Sequence, residues 1–239
     1  IEHLGYKVFL LFLICPLYAA LATFVYFKSK IKTVSRVFAL FSCSLAIWSF
    51  GTGMFLAVNT YDRSIFWAMF LYFSGTLISA SFLLFSYVYE NPLKYKFRSI
   101  KTVLLFSPAV GSAFLLFINH SIVRSVFELH GVRVLSYDGW RIVWEIQFNG
   151  FLIFAFYRFF RLCFRSEGIY KAQLLYITVA NLTINLFAGF TNVFLPWFGV
   201  FNYIWLGPPL TLIWFSIVSY AILKYRLMDI RLAVTSAGL

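Results

Sequence analysis

Asn181, Asn185 and Asn192 stand at spacings that, at about 100° per residue, bring the three side chains within roughly 40° of one another on a helix. Amides on one stripe of an otherwise apolar segment must meet protein, water or a ligand. They either hydrogen-bond between helices or line a polar pocket. Glu145, Gln147 and Asn149 fall early in the preceding apolar run and are available as partners. Glu145 is the sharpest single candidate, because a carboxylate just inside an apolar boundary is a functional group by default. Its alternative is an interfacial i,i+4 pair with Arg141. Trp48 and Trp67 could stack on a ligand, and aromatic packing is the other use of a buried Trp. Glu145, Asn149, Asn181, Asn185, Asn192, Trp48 and Trp67 are therefore the candidate ligand-binding residues.

Other chemistry is thin. His3, His120 and His130 lie near Glu2, Asp62 and Glu128, so a metal site or pH switch is conceivable. No two of them have ligand spacing on one element, and solvent exposure is their ordinary role. The last apolar run has no Lys between Pro208 and Leu223, which excludes a retinal Schiff base there. A G-protein-coupled receptor is disfavoured by motif: the third run ends in Tyr87-Val88-Tyr89-Glu90, and the last lacks an Asn-Pro-x-x-Tyr pattern. There is no P-loop, no His-Glu-x-x-His site and no Ser/His/Asp set able to meet, so the chain reads as non-catalytic, with no metal and no cofactor. Cys15, Cys43 and Cys163 sit in or at the end of apolar runs and indicate no disulfide framework.

The elements that must position these residues follow from composition. Of 239 residues, 62 % are apolar and 12 % charged, against roughly a quarter charged in soluble domains. The mean hydropathy is +0.85. A net charge of +12 would suggest nucleic acid in a soluble protein, but here the basic residues lie between long apolar runs, and the lipid bilayer is the expected partner instead. Runs of spanning length fall at about 6–27, 34–58, 64–89, 102–118, 140–163, 170–195 and 208–225. The fold class expected is an all-α membrane protein, a seven-transmembrane helix bundle.

Basic residues set the orientation. Lys28, Lys30, Lys32 and Arg36, then Lys94, Lys96, Arg98 and Lys101, then Arg158, Arg161, Arg165 and Lys171, and finally Lys224, Arg226 and Arg231 fall on one side and carry the whole +12 excess. On the other side Lys7, Arg63, Arg124, Arg133 and Arg141 are balanced by Glu2, Asp62, Glu128, Asp138 and Glu145. The positive-inside rule places the amino terminus outside and the carboxyl terminus in the cytoplasm. The outer connection 119–139 alternates around Gly131 in a way that suits a small β-hairpin able to lid the bundle. The stretch 196–207 reads as an interfacial loop with Trp197, Tyr203 and Trp205 at headgroup depth. Residues 1–225 form the expected bundle. Residues 226–239, amphipathic and then apolar, read as the start of an extension, and the chain as a piece of something longer.

The run Arg36 to Gly51 containing Trp48, the pair Phe66-Trp67, and above all Tyr220-Ala221-Ile222-Leu223-Lys224-Tyr225-Arg226-Leu227-Met228-Asp229-Ile230 resemble the seven-helix amino-terminal region of bacterial sensor histidine kinases. That resemblance implies a sensory input module in the bacterial cytoplasmic membrane. Its last helix would continue into cytoplasmic signalling elements, commonly a histidine kinase and sometimes a cyclic-dinucleotide enzyme. It also implies a homodimer and a response regulator as partner of the output domain. No binding residue is carried over, and no His on the cytoplasmic side is available to accept phosphate.

The expected function is sensing of a small or lipophilic ligand, or of membrane state, relayed through the last helix by Tyr225, Arg226 and Asp229. The high Phe content favours an apolar or amphipathic stimulus over a small ion. The alternative is a small transporter or channel with a polar path between the fifth and sixth helices. Transporters often show internal repeats and helices broken at mid-membrane. Here no repeat is visible, and Pro208-Pro209 lies at a helix end.

Overall fold

The computed structural model describes residues 2–28, 32–90, 95, 99–118, 121–129 and 132–224. Tyr225, Arg226 and Asp229, the extension 226–239, His120 and His130 lie outside the described residues. In hydrocarbon each backbone N–H and C=O must be satisfied within its own segment, and long apolar runs answer this by coiling into helices. The helices are α1 (Glu2–Lys28), α2 (Lys32–Ala57), α3 (Tyr61–Glu90), α4 (Ile100–Ala113), α5 (Trp140–Arg165), α6 (Gly168–Gly189) and α7 (Gly207–Lys224). A π-turn, Phe114–Ile118, prolongs α4. Another, Phe190–Phe194, prolongs α6 and leads into a last turn at Leu195–Trp197. Among the described residues, five helical stretches are long and apolar enough to cross a membrane: Gly5–Lys28, Lys32–Ala57, Tyr61–Glu90, Ile100–Ile118 and Thr178–Trp197. Helix α5 carries Arg141, Glu145, Arg158, Arg161 and Arg165, and is not among them.

Helix α3 is the axis of the bundle and touches α2, α4, α5 and the first strand of a two-stranded ribbon. One apolar cluster fills the middle of the bundle, where Phe38 stacks on Phe215 at 4.3 Å between ring centres. The second lies under the ribbon and includes Phe55, Met69, Val126, Trp144 and Phe201.

Hydroxyls join the helices. Ser42 Oγ donates to Tyr18 O at 2.7 Å and Ser49 Oγ to Leu11 O at 2.8 Å, so α2 is tied to α1 on both sides of Pro16. Tyr18 Oη donates to Pro208 O at 3.0 Å and lies 2.6 Å from Thr211 Oγ1, which ties α1 to the first turns of α7.

The connection after α4 forms strands β1 (Val123–Leu129) and β2 (Val132–Tyr137), paired antiparallel with Val126 opposite Leu135. Ile122, just before β1, has a φ of 75°, a costly conformation for a β-branched residue, and it is held by complete burial in the second cluster. Arg133 of β2 donates to Phe55 O and, at 3.0 Å, to Asn59 Oδ1. These bonds dock the ribbon on the carbonyl end of α2, where the helix dipole favours a cation. The loop after α6 is divided between exposed and buried side chains. Trp197 and Tyr203 are exposed, but Phe201 is only 4 % exposed and Ile204 is also buried, because both fill the volume beneath the ribbon.

Replacing Tyr18 by Phe removes the link to Pro208 O while leaving the ring packed. The expected loss is about 1 kcal/mol of stability in detergent-unfolding experiments. Ser216→Ala, which deletes only an exposed bond within α7, serves as the reference for no effect. Equal unfolding midpoints for the two variants would remove the α1–α7 tie from the account.

Candidate functional site

The first turns of α5 place Arg141, Trp144, Glu145 and Phe148 on one face, at spacings of three and four. Gly75 lets this face approach α3: a Cβ there would lie 2.7 Å from the Trp144 ring. The Trp144 ring stacks on Phe148 at 5.0 Å and meets Tyr72 edge-on at 4.8 Å. Its Nε1 donates to Thr76 Oγ1 at 2.9 Å and Tyr72 O at 3.0 Å. Farther along, Gln147 Nε2 donates to Ser79 Oγ at 3.1 Å. The small residues of α3 thus serve as the seat of α5.

Arg141 is 3 % exposed. Its Nε donates to Glu145 Oε1 at 2.8 Å and its Nη2 to Val193 O at 3.3 Å. The guanidinium carbon lies 3.7 Å from the ring centre of Tyr137 and 4.4 Å from that of Trp197. Trp197 Nε1 in turn donates to Glu145 Oε2 at 2.8 Å. One cation therefore binds together the ribbon, α5, the π-turn and the turn that follows it.

Beside this cluster is a cavity of about 60 Å³. By the same measure one water needs roughly 10–15 Å³, so the space takes a few waters or one small molecule. Thr52 of α2, Tyr72 of α3, Tyr137 of β2, Trp144 of α5, and Asn192, Pro196, Phe201 and Ile204 from the segment between α6 and α7 are among its lining. Burial pushes the Tyr137 phenol up to about 12, against smaller lowering influences from Arg141 and Tyr72. Tyr137 Oη is buried, with the Tyr72 hydroxyl beside it.

The sequence candidates separate. Asn192 lines the cavity, and its Nδ2 donates to Ala188 O at 3.1 Å and Thr191 Oγ1 at 2.9 Å. Asn185 Nδ2 donates to the side chain and backbone oxygens of Asn181, which is 3 % exposed. Glu145 pairs with Arg141 and Trp197, behind the cavity wall. Asn149 is exposed and donates to Glu145 O on its own helix at 2.9 Å. Among the described residues no hydrogen bond joins Asn181, Asn185 or Asn192 to Glu145, Gln147 or Asn149. Trp48 packs against Asn192 across Gly207, where a Cβ would collide with both. Trp67 sits edge-on among Phe50, Phe66 and Phe70, away from the cavity.

Thr52, Tyr72, Tyr137 and Trp144 went unrecognised in the sequence. The signal available was Tyr137 to Arg141, where aromatic rings and a cation crowd a membrane boundary and cation–π contacts form. Toward the other end of the bundle a comparable contact ties α5 to α3: Arg158 donates to Glu90 and lies 3.6 Å over the Tyr87 ring.

Apolar helices, hydroxyl-to-carbonyl ties and buried charge balanced inside the protein together define a helical membrane protein. The chain belongs to the family of the N-terminal 7TM region of histidine kinases, whose family model it matches over residues 10–231. No curated protein and no solved structure matches it.

Removing Arg141 leaves the Glu145 carboxylate, 14 % exposed, with Trp197 as its remaining partner. Arg141→Ala is expected to cost about 3–5 kcal/mol, the range for breaking a buried ion pair from one side. Lys should rescue little, since an ammonium cannot lie flat between two rings and donate in two directions. Thermal unfolding in nanodiscs reads both, and an Arg141→Ala midpoint equal to wild type would contradict the buried pair.

Proposed function

We propose that this chain is the membrane-embedded sensory input domain of a bacterial sensor kinase. The seven long helices all cross the cytoplasmic membrane, with the amino terminus and the ribbon outside and the carboxyl terminus in the cytoplasm. Residues 1–225 are the sensor bundle, and 226–239 begin the connection to an output domain. A small or lipophilic ligand, or the state of the bilayer, acts on the ribbon end, and α7 relays the change through Tyr225, Arg226 and Asp229. The assembly is a homodimer whose output domain hands its signal to a response regulator.

The observation that carries this reading is the contact at Gly207. The first residue of α7 is wedged between Asn192 of the cavity wall and Trp48 of α2. Thr211, one turn on, is held by Tyr18. Anything that displaces Asn192 pushes on the start of the helix that leads to the cytoplasm. The family match over nearly the whole chain supplies the context of a kinase input.

The test is phosphorylation by the full-length protein in proteoliposomes. The protein is expected to incorporate phosphate from ATP. Gly207→Ala, which forces the Asn192 and Trp48 side chains away from α7, should change the basal level by roughly fivefold or more, the lower end of ordinary allosteric coupling. A full-length protein without ATP-dependent phosphorylation, or a folded Gly207→Ala variant with a wild-type level, would sink the relay.

A further inference from the structure

We propose that the groove on the last turns of α5 binds an anionic phospholipid, with Arg161 and Arg165 clamping its phosphate. The proposal rests on the topology argued above, in which the carboxyl end of α5 lies at the cytoplasmic face, and on no sensory role. The arginines of α5 fall into two classes. Arg141 and Arg158 are met inside the protein by Glu145 and Glu90, and each lies against an aromatic ring. Arg161 and Arg165 are exposed, and among the described residues neither has an ion pair or a hydrogen-bonded acceptor for its side chain. Glu167, two positions beyond Arg165, is exposed as well and pairs with neither among the described residues. Like charges at i and i+4 repel, and an anion held between them reverses the sign of that interaction.

The two arginines border a groove of about 300 Å³ whose other walls are Tyr157, Phe160 and Phe164. Phe160 is anchored against the main apolar cluster, whereas Tyr157 and Phe164 stand exposed. On a scale where one water takes roughly 10–15 Å³, such a groove admits a group the size of a glycerophosphate. Guanidinium forks match phosphate oxygens in pairs, which an ammonium cannot do. A zwitterionic headgroup would bring its own cation toward two guanidinium groups with no carboxylate in the lining, so net negative charge is selected.

The rest of the face makes the occupant a lipid instead of a free phosphate. At about 100° per residue, Ile146, Gly150, Ile153, Tyr157 and Arg161 fall within roughly 80° of one another. Ile146 and Ile153 are each 68 % exposed, and a Cβ at Gly150 would meet nothing, so an open apolar track leads to the groove. At 1.5 Å per residue, Ile153 lies about 12 Å and Ile146 about 22 Å from Arg161 along the helix. One leaflet contributes about 15 Å of hydrocarbon, half of the bilayer core. An acyl chain whose phosphate sits at Arg161 therefore has a track to follow through its whole leaflet.

The chain in nanodiscs of equimolar phosphatidylglycerol and phosphatidylethanolamine with matched acyl chains tests this, the retained lipids being counted by native mass spectrometry. Phosphatidylglycerol should be enriched beyond the about fivefold that one basic residue near a membrane surface supplies. Arg161→Gln/Arg165→Gln should lose most of that enrichment at an unchanged unfolding midpoint, since both side chains are exposed. Lys28→Gln/Lys101→Gln removes equal charge from the same side of the membrane and should keep most of it. No enrichment in wild type, or equal losses in the two double variants, would overturn the site in favour of diffuse attraction. Displacement of the lipid by millimolar glycerol 3-phosphate would overturn the lipid as occupant in favour of a soluble phosphate. The topology has its own readout in Glu167→Cys. Its labelling from outside intact cells by an impermeant maleimide, above the level of the unsubstituted chain, would overturn the topology. Labelling from the cytoplasmic side alone, without lipid enrichment, would overturn only the lipid site.

Discussion

A guanidinium cannot stand alone where water hardly reaches it, and the ribbon end of this bundle is organised around that fact. Arg141 is 3 % exposed, so its charge must be met by protein groups. Glu145 supplies the opposite charge, Val193 a carbonyl, and Tyr137 and Trp197 their ring faces. These groups come from α5, the π-turn, β2 and the turn after α6, so compensating one charge fixes the relative positions of four segments. The cavity is what remains between them once the charge has been satisfied. Its neutral lining is a consequence of the same pairing, since the Glu145 carboxylate faces the arginine.

The π-turn has a related role. A regular helix from 168 to 197 would keep Asn192 in phase with Asn181 and Asn185. The π-turn contains both Asn192 and Val193, whose carbonyl accepts from Arg141. The Asn181–Asn185 pair satisfies itself within α6. One predicted stripe thus divides into a structural pair within α6 and a group in the π-turn on the cavity wall.

Much of the bundle was legible because the bilayer imposes a simple requirement. A helix that must satisfy its own backbone in hydrocarbon needs a long apolar run, and such runs are visible in the sequence without any knowledge of packing. The runs at 34–58 and 64–89 correspond closely to α2 and α3. The site was less legible for the converse reason. In a chain that is 22 % aromatic, Tyr72, Tyr137 and Trp144 look like any other ring, and their convergence depends on how the ribbon docks. That docking is set by Arg133 on the carbonyl end of α2, a contact across 78 positions. The i,i+4 pair of Arg141 with Glu145 was legible in the spacing and is present, but its burial was not, because sequence gives a position along the helix and not the face covered by the loop after α6. The π-turn leaves no residue signature at all, since Phe190 to Phe194 would serve equally in an α-helix.

The same packing bears on how such a bundle could carry information. A stimulus shifts an equilibrium only by its difference in affinity for two arrangements. A close-packed core has few intermediate positions, so small displacements are resolved into discrete ones. At Gly207 there is no room even for a methyl group between Asn192 and Trp48. Asn192 therefore cannot move toward α7 without displacing either the Trp48 ring or the helix itself. The ring is braced within the main apolar cluster, and Tyr18 holds the next turn of α7 through Thr211. Movement of Asn192 would then have to be taken up by α7 as a body pivoting about the Tyr18 contact, which favours a tilt over a local adjustment. Placing a glycine at that contact keeps the resting arrangement unstrained while leaving the helix with no slack to absorb a push.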